Sequence, residues 1–303
     1  MLVEVKENYP VKNLTSFKIG GDVEKLYFPK SEAEFTYLLK TLKNPLIFGS
    51  WSNVLISSDG IKGNVISTSM LNGIDINDTN VEAQCGVKGP MLAQKVTEHG
   101  LTGFEFMAGF PGSIGGNIYM NASAHKQAIS DYLVGIKVFD LQSKEIVEIK
   151  KEAVNFAYRS SILQKKPFVL LSAKFDLAKE SKEKITETIR NNLLFRKAHQ
   201  PNLAMPNAGS IFKNPEGFSA GRLIDEAGAK NLAVGGAKIW EKHANFIVNS
   251  EQKATSTDVL ELMLKMHNAV LEKFEINLEP EVKFFGEKTS REDYICNILY
   301  NQK

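Results

Sequence analysis

Gly109-Phe110-Pro111-Gly112-Ser113-Ile114-Gly115-Gly116-Asn117 puts four glycines, a proline and a serine into nine positions. Such a run is not packing material. Glycine reaches positive φ at no steric cost and lets a ligand lie directly on the backbone. Successive exposed N–H groups in a loop of this kind form a concave, anion-attracting surface. A pyrophosphate-bearing cofactor is the natural guest; the plainer alternative is a tight structural loop. The spacing is not Gly-x-Gly-x-x-Gly, and no Gly-x-x-x-x-Gly-Lys-Ser/Thr occurs in the chain, so neither the dinucleotide fingerprint nor the P-loop is supported.

Working outward, 303 residues are long for one hydrophobic core and suit two or three compact units. Hydrophobic residues at 43% and charged residues at 24% are ordinary for a globular protein. A net charge of +2 gives no argument for nucleic acid. The N-terminus has no apolar signal core, and no run approaches the roughly 18 apolar residues that span a bilayer, so no membrane partner is expected and the cytoplasm is the expected compartment. Cys85 and Cys296 lie far apart with no Cys-x-x-Cys, which argues against a disulfide framework. The five histidines lack zinc-type spacing, and no metal is expected.

Ser31-Glu32-Ala33-Glu34 reads as a capping box ahead of Phe35, Leu38, Leu39 and Leu42 at helical spacing. Pro45 ends that helix. Leu46-Ile47-Phe48 then reads as a buried strand running into Gly49-Ser50-Trp51-Ser52-Asn53, a polar turn where ligand loops tend to sit. Further strands are expected at Val65-Ile66, at Val81 to Cys85, and at alternating Val134, Ile136 and Val138. Ile146 and Val147 mark the hairpin partner of the last, and Phe168 to Phe175 another strand. Met91 to His99 reads as a helix closed by Gly100. From Ser181 a polar helix places Ile185, Ile189 and Leu193 on one face until Pro201, marking the best domain boundary. Strands are expected at 245–248 and 279–285, around a helix with Val259, Leu262, Met263, Met266 and Val270 as core. The tail from Glu287 carries no clear signal. Strands and helices mix without regular alternation, which gives α+β rather than a doubly wound parallel sheet.

Polar and special-geometry residues also cluster in Tyr158-Arg159-Ser160-Ser161, Asn207 to Pro215 and Leu278-Glu279-Pro280-Glu281-Val282. Singly, these are a surface ion pair, a turn and a solvated edge. Together with Asn13 to Gly21, Gly49 to Leu55, Pro111 to Gly116, Tyr119-Met120-Asn121-Ala122 and Lys242-His243-Ala244-Asn245-Phe246, they form an ordered series. On that series, from about Asn13 to Gly286, the chain resembles the UDP-N-acetylenolpyruvoylglucosamine reductase (MurB) family. No segment suggests the tyrosine-bearing insertion of one branch, so the shorter branch matches better.

The resemblance implies an FAD-binding fold of the vanillyl-alcohol-oxidase (PCMH) type in two subdomains, 1–70 and 71–180. A C-terminal α+β substrate-binding domain, 181–303, would follow. It implies non-covalent FAD, NADPH as co-substrate, a UDP-sugar substrate and a monomer. Gly49, Ser50, Trp51, Ser52, Asn53 and Leu55, with Pro111, Gly112, Ser113, Gly115, Gly116 and Asn117, match cofactor-binding segments. Hydride passes from NADPH to FAD, then to the enolpyruvyl double bond, and a proton must follow. Ser210 matches the general acid. Arg159 offers paired donors to the carboxylate on which charge accumulates. Glu281 matches the other catalytic position, where a protonated carboxyl donates to the enolate and an ionised one repels it. Tyr158 and Asn214 match substrate-contacting positions, with Lys213 a further phosphate or carboxylate partner. Glu279 reads as a solvated strand residue and His243 as structural.

The chain departs from the family pattern at several points. Trp51 stands where glycine is preferred, so that loop is expected to differ locally or to bring its ring near the cofactor. Asn117 replaces a small apolar residue, and His125-Lys126-Gln127 replaces small residues and glycine. His199-Gln200-Pro201 lacks the lysine often found before Gln-Pro, leaving one phosphate or nicotinamide contact open. The competing readings are an FAD-dependent oxidase or dehydrogenase of an alcohol or sugar, and a non-catalytic flavin- or nucleotide-binding protein. The former needs no acid at Ser210; the latter has no use for Arg159, Ser210 and Glu281.

Overall fold

The computed structural model describes residues 3–202 and 204–301. The chain divides into two compact units. The segment ending at Lys6, Leu26–Ser50 and Asn64–Arg196 make the first; Glu7–Lys25, Trp51–Gly63 and the chain from Lys197 make the second. The division falls inside the Gly49 to Leu55 loop.

The first unit is built on an antiparallel sheet in the order Ile146–Lys150, Leu133–Asp140, Phe168–Asp176, Asn80–Gln84, Ile74–Asn77. The expected hairpin forms with Val138 opposite Val147. Its alternation is broken, however. Register shifts against Phe168–Asp176 leave Val134 exposed and bury Val138 and Phe139 in succession. Leu46–Phe48 runs parallel to residues 65–67. Helix α1 (Glu32–Thr41) is capped by Ser31, whose hydroxyl accepts from Glu34 N at 3.2 Å, while the Glu34 carboxylate accepts from Lys30 N at 2.7 Å. It buries Phe35, Leu38 and Leu39. Helix α2 (Gly89–Glu98) buries Leu92, Ala93 and Val96, and the short α3 (Ile114–Tyr119) buries Ile114 and Ile118. Helix α4 (Lys182–His199) differs from its expected stripe: Ile185 is buried, Ile189 is partly covered and Leu193 is exposed. At the centre of the core, Phe104 meets Phe175 edge-to-face at 5.0 Å and Tyr132 at 5.7 Å.

A small hairpin pairs Ser123–Ala124 with Gln127–Ala128, turning at His125 (φ +53°) and Lys126 (φ +65°). Two successive positive φ values are the signature of a turn that favours Asn-Gly. That is the physical reason for small residues and glycine at these positions.

The second unit holds α5 (Ala220–Glu226), α6 (Ser256–Phe274) and α7 (Ser290–Tyr300). A three-stranded antiparallel sheet joins Ala233–Val234, Ala237–Ile239 and Ile247–Val248, and Val54–Ile56 runs parallel to Lys283–Phe285. The two strands expected at 245–248 and 279–285 are thus shorter than their apolar pattern. Helix α6 buries Val259, Leu262, Met263, Met266 and Val270 as its spacing requires. The uninformative tail is helix α7, started by a reciprocal cap between Thr289 and Glu292 and burying Ile295, Cys296 and Leu299. Glu292 also accepts from Ser256 Oγ at 2.6 Å. Cys85 in the first unit and Cys296 in the second are free and buried; burial pushes their thiol pKa values up to about 12 and about 11. Among the described residues no helix is long and apolar enough to cross a membrane.

Phe104→Ala is expected to destabilise the first unit by about 3–5 kcal/mol, read as a lower urea midpoint of its transition. Lys126→Gly is expected to stabilise it, by up to about 1 kcal/mol, because glycine takes the left-handed turn position without a Cβ penalty. A lower midpoint for Lys126→Gly contradicts that account of the turn.

Candidate functional site

In the first unit, Gly49 and Ser50 follow directly on the Leu46–Phe48 strand, and Thr68 Oγ1 donates to Phe48 O at 3.4 Å. Gly49 lies against Ser113 so closely that a Cβ there would overlap the serine hydroxyl. The strand end and the glycine-rich loop therefore meet. Ser113 caps α3, its hydroxyl accepting from Gly116 N at 3.4 Å.

The loop does not present the open row of amides that its glycines suggested. Gly112 N donates to Phe110 O (3.0 Å), Ile114 N to Val87 O (2.8 Å), Gly115 N to Cys85 O (2.7 Å) and Asn117 N to Ser113 O (2.8 Å). The glycines serve close approach instead. A Cβ on Gly112 would collide with Asn117 Oδ1, and one on Gly115 would stand 3.1 Å from Cys85 O. Asn117 is buried, with Nδ2 directed at Met107 Sδ (3.7 Å). Pro111 and Gly116 are exposed, and the position of a Gly116 Cβ is open save for Ser113 Oγ at 3.7 Å. These residues fit FAD as a side-chain-free surface with hydroxyls beside it, rather than as a nest of free amides.

Residues 51–55 belong to the second unit. Trp51 adopts glycine's backbone conformation all the same, at φ +53°, and is 4% exposed. A non-glycine residue there carries strain of about 1–3 kcal/mol. Its carbonyl accepts from Ser16 N (3.2 Å), and that of Ser52 from Ser16 Oγ (3.1 Å). Asn53 Nδ2 donates to Glu281 O at 3.1 Å, and Leu55 is buried in the second core.

Tyr158 and Arg159 form the tip of a tight turn whose flanking residues, Ala157 and Ser160, exchange backbone hydrogen bonds of 3.1 and 3.2 Å. Arg159 sits at φ +53°. Gln164 Nε2 donates to Arg159 O (3.0 Å) and Tyr119 O (2.7 Å), and Asn121 Nδ2 to Ala157 O (3.1 Å). The guanidinium donates to Ser123 Oγ at 2.9 Å and lies 5.2 Å from the Tyr158 ring centre. Gln164 and Ser123 escaped the sequence reading. Each is a single polar residue with a partner remote in the chain, Ser123 with Arg159 and Gln164 with Tyr119.

In the second unit, Lys213 N donates to Glu279 O (2.9 Å) and Glu281 N to Ile211 O (2.7 Å), setting Phe212 opposite Pro280. The motifs of Ser210 and Glu281 are thereby held side by side on paired backbones. Lys213 forms an ion pair with Glu279, whose side chain is mostly exposed. Asn214 Oδ1 accepts from Ala220 N at 3.0 Å and closes the intervening loop. Lys283, also missed, has its pKa lowered by burial first and then by the charge of Lys213, against the pull of Glu279 and Glu281. Burial lowers the pKa of His243, and its Nδ1 accepts from Asn245 N at 3.2 Å. Asn245, buried and bonded to both Ile211 and Phe212, was the residue of Lys-His-Ala-Asn-Phe to single out.

Residues 200–285 match the family described as UDP-N-acetylenolpyruvoylglucosamine reductase, C-terminal domain, and residues 24–150 that described as FAD binding domain. A UDP-N-acetylenolpyruvoylglucosamine reductase from Caldanaerobacter subterraneus subsp. tengcongensis is 39% identical over 285 residues, covering 93% of each chain. One from Latilactobacillus sakei subsp. sakei is 39% identical over 291 residues, covering 95% of each. The crystal structure of the MurB enzyme of Thermus caldophilus matches at a TM-score of 0.80 and 31% identity, over 94% of this chain and 99% of that one. With the fold the expected α+β arrangement of an FAD-binding part and a family-specific C-terminal domain, the chain belongs to the UDP-N-acetylenolpyruvoylglucosamine reductase family.

Proposed function

We propose that this chain is an NADPH-dependent flavoenzyme reducing UDP-N-acetylglucosamine enolpyruvate to UDP-N-acetylmuramate in peptidoglycan precursor synthesis. The observation that carries the reading is the backbone pairing of residues 211–213 with 279–281, which holds the motif of Ser210 beside that of Glu281. The loops at 49–55 and 111–117 would hold FAD non-covalently, and the cofactor, once reduced by NADPH, would supply the hydride.

The remaining work falls to side chains. Hydride addition to the enolpyruvyl double bond spreads negative charge over the enolate and its carboxylate. Arg159 meets that charge with a guanidinium held by Ser123 and by the turn at 157–160. Ser210 delivers the proton to the adjacent carbon. Glu281, once protonated, would donate a hydrogen bond to the enolate. Tyr158, Lys213 and Asn214 contact the substrate. Lys213, 18% exposed, is paired with a largely exposed Glu279, and a substrate phosphate or carboxylate would compete with that partner for the ammonium. Such a reaction uses cytoplasmic nucleotides, and we assign the protein there, as a monomer, with 1–70 and 71–180 as cofactor subdomains and 181–303 as the substrate domain.

The purified protein is expected to be yellow. In an anaerobic titration NADPH should bleach it, and UDP-N-acetylglucosamine enolpyruvate should restore the colour; colour restored only by oxygen favours an oxidase. Ser210→Ala should leave bleaching by NADPH near normal and slow recolouring by roughly a hundred- to ten-thousand-fold. Equal slowing of both steps defeats the proton-donor assignment. Glu281→Gln should keep more activity than Glu281→Ala, since an amide still donates. The reverse order in steady-state assays makes the residue an ionised base.

A further inference from the structure

We propose that Asn245 is a positioning residue for proton delivery, fixing Ser210 through the backbone of Ile211 and Phe212; the inference rests on the function proposed above. The bonds from Lys213 N to Glu279 O and from Glu281 N to Ile211 O make Phe212 and Pro280 a pair that exchanges no hydrogen bonds of its own. The N–H and C=O of Phe212 consequently point to the other side of the strand. Phe212 is 1% exposed, so those groups have no recourse to water and must be met by protein.

One side chain meets both. Asn245 Oδ1 accepts from Phe212 N at 2.9 Å, and Asn245 Nδ2 donates to Phe212 O at 2.8 Å. The carboxamide thus stands in for the peptide group of a neighbouring strand. The Asn245 carbonyl also accepts from Ile211 N at 2.9 Å, and its own N–H is anchored on His243 Nδ1 at 3.2 Å. Asn245 is 2% exposed. Only a primary amide of this length offers a coplanar donor and acceptor here. An aspartate would set a carboxylate against Phe212 O, and an alanine would leave both Phe212 groups unpaired.

Upstream, Ser210 is joined to the buried Ala208 through Gly209 alone. Gly209 has φ +78°, nothing lies within 4 Å of where its Cβ would be, and its N–H is bonded locally, to Asn207 Oδ1 at 2.9 Å. On its C-terminal side Ser210 runs straight into the Ile211–Phe212 segment, where Asn245 acts. A small rotation there shifts the hydroxyl away from the carbon it must protonate, and misplacement of about 1 Å costs about a hundred-fold in rate.

The test uses full-length, FAD-loaded Asn245→Asp, Asn245→Ala and Asn245→Gln in anaerobic stopped flow, with NADPH for flavin reduction and UDP-N-acetylglucosamine enolpyruvate for reoxidation. Reoxidation in Asn245→Asp is expected to fall about a hundred-fold relative to reduction. Adding the same change to Ser210→Ala should cost nothing further, because the donor being positioned is already gone. Equal slowing of both steps, or full additivity with Ser210→Ala, makes Asn245 merely structural and overturns the proposal. Should the Ala variant fail to fold, the near-isosteric Asp and the amide-retaining Gln variants decide, Gln being expected to recover more reoxidation than Asp. A wild-type protein not reoxidised by the substrate defeats the proposed function. A wild type that is reoxidised, alongside an equally fast Asn245→Asp, defeats this inference alone.

Discussion

Phe212 and Pro280 face each other in a register that asks no N–H of the proline. Proline has none to give, and in a sheet it is tolerated only where none is required. A slip of one residue along either segment would demand a donor from Pro280 and turn the alternating side chains of both segments over. The proline thus acts as a register lock. It lets Glu281 N reach Ile211 O and Lys213 N reach Glu279 O, and it turns the peptide groups of Phe212 toward Asn245. Ser210, Lys213, Glu279 and Glu281 take their relative places in the second unit from this one alignment.

A different economy governs the other motif residues. Arg159 and Trp51 both lie at φ +53°, a conformation costly for side chains of their size. Around Arg159 the surroundings over-determine that choice: two backbone bonds close the turn, Gln164 grips its carbonyl and Ser123 its guanidinium. Strain held by several independent contacts is what a site needs when a charged group must not swing away. Trp51 shows the complementary case, with a large apolar ring buried at a position whose backbone suits glycine.

Local signals were readable wherever the chemistry is local. The capping residue Ser31, the apolar face of α6 and the hairpin at 133–150 all follow from neighbours in sequence. So did the ordered series of motifs, which carried the FAD-binding fold and the family with it. What sequence could not supply is the destination of individual hydrogen bonds. The amides of Ile114 and Gly115 end on the carbonyls of Val87 and Cys85, so part of a loop that reads as an anion nest is committed to packing. Asn245 stood inside a recognised motif and Gln164 outside any, but in both cases the bonded partner, Phe212 or Tyr119, lies far off in the chain and left no local trace. Helix α7 was hidden differently. Its buried residues, Ile295, Cys296 and Leu299, are sparse among polar ones, and the signal lay in Thr289 and Glu292 before them.

Both native cysteines are buried, and the loss of hydration keeps their thiols protonated far above neutral pH. The thiolate is the form that reacts with maleimides and disulfides. The folded chain is therefore nearly silent toward such reagents. A cysteine introduced at an exposed position such as Tyr294 would be the one efficient attachment point for a fluorophore or spin probe, with no need to strip the native pair first.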